Sequence, residues 1–116
     1  MACVLVVDDD DALRDVVCEA IADAGYVVEQ AGNGQEALAK MREASPCIVL
    51  LDLMMPVMDG WEVVAAMNLD PALASVPVCV VSAQDRVAPP QTAGLLRKPV
   101  SIASLISMVS QYCGKP

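Results

Sequence analysis

Short apolar runs alternate along the chain with stretches in which apolar residues recur at helical spacing. Cys3–Val7, Cys47–Leu51 and Val78–Val81 are continuous and mostly aliphatic, which predicts strands buried on both faces. Tyr26–Gln30 predicts a further strand, and Gly94–Arg97 a short fifth. Leu13, Val16, Val17, Ala20, Ile21 and Ala24 form one face of a helix, with Asp10 or Asp11 as its cap and Gly25 as its stop. Asn33 can cap a second helix through Glu43, and Asp59-Gly60 opens a third carrying Trp61, Val64 and Met67. Ser101 caps a last helix with Ile102, Leu105, Ile106, Val109 and Tyr112 on one face.

Strands alternating with helices predict an α/β fold, a doubly wound parallel sheet with right-handed crossovers and helices on both faces. Residues 1–116 are read as a single domain. The weakest stretch is Gln84 to Ala93, where Pro89-Pro90 breaks any helix. The fourth crossover helix is therefore expected to be absent or reduced to about one turn.

Composition narrows the function. The formal net charge is −8, a field that repels nucleic acid and disfavours anionic membrane surfaces. No apolar run approaches the roughly 18 residues of a membrane span. Histidine is absent, which removes Ser-His-Asp and Cys-His catalysis and His-ligated metals. Cys3, Cys18, Cys47, Cys79 and Cys113 are odd in number and form no CxxC. They read as small reduced core residues, and with no leader before the first strand they predict a cytoplasmic protein.

The polar residues sit where the buried strands stop. Asp8 and Asp9 end the first, Asp52 the third and Ser82 the fourth, and Lys98 follows the fifth. In open parallel sheets those strand ends form the binding crevice. Carboxylates crowded there raise one another's pKa, and a hard divalent cation relieves them. Oxygen-only ligands point to Mg²⁺ or Mn²⁺. A metal and a lysine make a site for a phosphoryl group, and a carboxylate can itself be the nucleophile. Asp10, Asp11 and Asp59 read instead as caps or solvated loop, and Met55, Met58 and Trp61 as packing residues.

The sequence resembles the receiver domain of two-component response regulators. The likeness is carried by Val4-Leu5-Val6-Val7-Asp8-Asp9-Asp10, by Ile48-Val49-Leu50-Leu51-Asp52-Leu53-Met54-Met55-Pro56-Val57-Met58-Asp59-Gly60, by Val80-Val81-Ser82-Ala83 and by Lys98-Pro99. It implies a flavodoxin-like five-stranded sheet of order 2-1-3-4-5. It implies that Asp52 accepts the phosphoryl group, with Mg²⁺ held by Asp9, Asp8, Asp52 and the Met54 backbone carbonyl. Ser82 would hydrogen-bond the phosphoryl group and Lys98 would pair with it. Lys98-Pro99 looks like the family's cis peptide. Met54 and Gln84 fall where receivers tune dephosphorylation.

Two features depart from the family's pattern. The segment before the fifth strand is short, and the aromatic residue usual on that strand is replaced by Leu95. Both fall, with the charge-free last helix, on the face formed by residues 85–113, through which receivers signal. The leading expectation is a phosphoacceptor, not an enzyme turning over an external substrate. Its partners would be a histidine kinase or histidine phosphotransfer protein and a separate output protein. The alternative is a constitutive, phosphorylation-independent interaction module with the same fold. A haloacid-dehalogenase-like phosphatase expects Asp-x-Asp, whereas Asp52 is followed by Leu53-Met54.

Overall fold

The structure is a computed structural model that describes residues 3–82, 92–98 and 100–116. Five strands are seen: β1 (Val4–Val7), β2 (Val28–Ala31), β3 (Ile48–Asp52), β4 (Val78–Ser82) and β5 (Gly94–Arg97). Four helices are found among the described residues: α1 (Asp11–Asp23), α2 (Gly34–Ala44), α3 (Gly60–Leu69) and α4 (Ile102–Cys113). The strands are all parallel in the order β2-β1-β3-β4-β5. This is the expected doubly wound sheet. The expectation of a shortened fourth crossover helix falls on residues 83–91, outside the described residues.

The three central strands are buried at every position, as their unbroken apolar runs require, while β2 and β5 lie at the edges and are partly exposed. Alternate residues of the central strands feed two cores. Leu5, Val7, Val49 and Leu51 pack under α2 and α3 against Leu38, Met41, Val63 and Met67. Val4, Val6, Ile48 and Leu50 face α1 and α4 through Ile21, Leu105 and Val109.

The caps follow the sequence closely. Asp10, Asn33, Asp59 and Ser101 each accept from a backbone N–H in the first turn of the helix they precede. Asp59 and Glu62 complete a reciprocal capping box. Gly60 lies where a Cβ would stand 2.7 Å from Leu53 Cα, so only glycine lets α3 start this close to the end of β3. β2 starts at Val28, later than the apolar pattern suggested. The Tyr26 N–H donates to the Ile21 carbonyl and so closes α1 instead of joining the ladder.

The reading of all cysteines as reduced is corrected. Cys47, just before β3, and Cys113, the last residue of α4, form a disulfide with their Cα atoms 5.3 Å apart. Cys3, Cys18 and Cys79 are free. Their burial raises all three thiol pKa values, that of Cys79 to about 11.

Candidate functional site

The register of the sheet brings the polar strand ends together. Val7 pairs with Leu51, so the residues that follow, Asp8 and Asp52, leave neighbouring strands side by side. Asp52 pairs with Val81, which places Ser82 next along β4. Lys98 follows β5, and its backbone N–H donates to the Ser82 carbonyl at 2.9 Å.

Asp8, Asp9 and Asp52 each present a carboxylate oxygen within 4.8 Å of the others. Asp8 and Asp52 are buried, and Asp9 is exposed. The Lys98 ammonium reaches between the two buried acids, 3.2 Å from Asp8 Oδ2 and 3.6 Å from Asp52 Oδ2. Asp52 Oδ1 also accepts the Met54 N–H at 3.3 Å.

These partners do not fully offset the loss of water around Asp52. Burial pushes its pKa up to about 6, aided by the charges of Asp8 and Asp9 and opposed by Lys98 and the Met54 N–H. Among the described residues, three acids face one lysine, which leaves an excess of negative charge. That donor set, all carboxylate oxygen, suits a hard divalent cation and fits Mg²⁺.

The acid loop has a support that the sequence did not advertise. Arg14, on α1, donates from Nη1 to the Asp8 carbonyl at 2.7 Å and from Nε to Gln30 Oε1 at 2.9 Å. Its Nη2 pairs with Asp11. One guanidinium therefore ties the end of β1 to β2 and to the start of α1. A single arginine on a helix carries no motif; only its place in the first turn of α1, directly after the acid loop, hints at the contact.

Other expected positions fall as follows. Ser82 is fully buried at the end of β4. The Met54 side chain is exposed, whereas Met55 is buried and Met58 and Trp61 pack against the α2/α3 core. Leu95 points outward and is 38% exposed, so it fills no interior space beside Ser82. Gln84 and Pro99, with the expected cis peptide, lie outside the described residues. An apolar cavity of about 500 Å³ adjoins the crevice. Asp8, Asp52 and Lys98 line it together with Leu13, Val17, Leu50 and Leu105.

The family model of the response regulator receiver domain matches residues 4–110. The chain belongs to this family. The receiver is 34% identical over 116 residues to an uncharacterized 14.6 kDa protein in the sodA1 3' region of Leptolyngbya boryana, covering 95% of this chain and 88% of that one. It is 37% identical over 111 residues to the response regulator MprA of Mycolicibacterium vanbaalenii, covering 90% of this chain and 47% of that one. The receiver thus spans about half the length of this regulator. Among solved structures, the chemotaxis protein CheY4 of Vibrio cholerae superposes with a TM-score of 0.85 at 32% identity, covering 97% of this chain and 98% of that one. No helix among the described residues is long and apolar enough to cross a membrane.

Proposed function

We propose that this receiver takes a phosphoryl group onto Asp52 from a histidine kinase or a histidine phosphotransfer protein, with Mg²⁺ as the resident cation (Mn²⁺ could replace it). The observation that carries this reading is the convergence of Asp8, Asp9 and Asp52 on one point with Lys98 across it.

Each residue has a defined task in the reaction. An ionised Asp52 oxygen attacks phosphorus, and the donor imidazole leaves with the electrons of the broken P–N bond. Lys98 draws toward the incoming phosphoryl oxygens and offsets their charge. Ser82 offers its hydroxyl to one of them. Asp8, Asp9, Asp52 and the Met54 carbonyl would hold the metal, which supplies charge neutralisation for phosphoryl transfer. Met54 and Gln84 would set the rate at which water removes the group, and a cis peptide at Lys98-Pro99 would aim the lysine.

The chain keeps the phosphoryl group instead of releasing a product, so it acts as a switch and not as a turnover enzyme. The output partner would dock on the face of residues 85–113, where Leu95 and Ile102 are exposed and α4 carries no charge. Neither nucleic acid nor a membrane is expected to bind the chain directly. A cytoplasmic setting belongs to this proposal through the kinase, since the Cys47–Cys113 pairing withdraws the argument from cysteine usage. A phosphorylation-independent module would have no need of the intact acid set.

The test is incubation with acetyl phosphate and Mg²⁺ followed by intact mass. The wild type gains one phosphoryl group and Asp52→Asn gains none. Equal labelling of both, or of neither, rejects the proposal.

A further inference from the structure

We propose that Cys47 and Cys113 are a reversible thiol–disulfide pair, exchanged by a small thiol such as glutathione, that sets how firmly the end of α4 is held to the sheet. The bond joins positions 66 residues apart, at the end of β3 away from Asp52. Both cysteines are only partly buried, so a small thiol can reach the bond.

The surroundings accommodate either state. Cys47 Sγ lies 3.3 Å from the Cys3 carbonyl, which gives the reduced thiol an acceptor where it stands. The Cys47 N–H donates to that same carbonyl at 2.9 Å and fixes the start of β3 with or without the bond. At the other end, the Tyr26 hydroxyl donates to the Gly114 carbonyl at 2.7 Å and keeps the helix end near β2. Leu105 and Val109 seat α4 without either sulfur. Breaking the bond therefore loosens the last turn and leaves the fold intact.

The chemistry balances with glutathione alone. A glutathione thiolate attacks one sulfur, the protein S–S bond breaks, and the other cysteine leaves as a thiolate and takes a proton. A second glutathione then attacks the mixed disulfide, and glutathione disulfide departs. Two electrons pass to the protein pair, and the reverse sequence restores the bond. The free cysteines compete poorly, because burial disfavours the thiolates of Cys3, Cys18 and Cys79.

The experiment equilibrates the full chain in glutathione buffers of graded ratio, quenches with acid, then reads by mass the alkylation of the unfolded chain and, separately, hydrogen exchange of the folded one. Oxidised protein should show the three free cysteines. Reduced protein should show all five and a mass about 2 Da higher before alkylation. The reduced form should keep its circular dichroism, while residues 109–114 exchange at least about tenfold faster. Cys113→Ser should exchange fast in every buffer. A pair that stays in one state at all ratios overturns the proposal. So does loss of the fold on reduction, or equal exchange in both states.

Discussion

Lys98 Nζ lies 3.6 Å from Asp52 Oδ2, although the strands that carry them are separated by β4. The lysine spans that gap because its backbone is hydrogen-bonded to Ser82, at the end of the intervening strand. It thereby places its ammonium between two buried carboxylates.

Replacing this ammonium should separate metal binding from phosphoryl chemistry. In Lys98→Met the acids lose a cation that competes with the metal and also lowers the Asp52 pKa. At pH 8, well above the wild-type Asp52 value of about 6, Mg²⁺ affinity should rise about three- to tenfold. Phosphorylation by acetyl phosphate should slow, since the phosphoryl oxygens lose their partner. Calorimetric titration and the labelling rate check the two halves separately.

The raised pKa of Asp52 gives stability a definite pH dependence. The folded chain holds this proton up to about pH 6, whereas the ordinary value is 3.8. Between those values the folded state binds more protons than the unfolded one, so this group's contribution falls as pH rises through the window. A shift of that size corresponds to about 2–3 kcal/mol once the pH is above 6. Urea unfolding of wild type and Asp52→Asn, each at pH 4 and pH 7, should show the variant gaining on the wild type at the higher pH. Mg²⁺ should narrow the difference by stabilising the ionised carboxylate, and its affinity should weaken below pH 6.

Arg14 is a positioning residue for the acids. Arg14→Ala removes the donors to the Asp8 carbonyl and Gln30, which should cost about 1–2 kcal/mol in urea unfolding. The exposed pair with Asp11 adds little. Mg²⁺ affinity should fall several-fold, because the loop bearing Asp8 and Asp9 loses its anchor. Lysine at this position restores the charge but cannot reach all three partners, so Arg14→Lys should recover only part of the loss.

The sequence and the structure agree where one physical cause dominates. The central strands were legible because burial on both faces leaves only apolar residues, as in Val4–Val7 and Ile48–Leu51. The acids were legible because they interrupt such runs abruptly. β2 starts two residues later than its apolar pattern suggests because Tyr26 closes α1 instead of joining the sheet. The Cys47–Cys113 bond was not legible, since pairing across 66 residues follows from how α4 lies on the sheet and not from local spacing. Arg14 was missed for a similar reason: its partners are a backbone carbonyl and a residue on β2, neither of which a helix pattern reveals.

The most direct test of the account is to locate the phosphoryl group itself. After treatment with acetyl phosphate and Mg²⁺, borohydride reduction converts an aspartyl phosphate to homoserine, which peptide mapping places in the chain. Homoserine is expected at position 52, with Asp8, Asp9 and Asp59 unmodified. Homoserine at any of those three positions, or none anywhere, would contradict it.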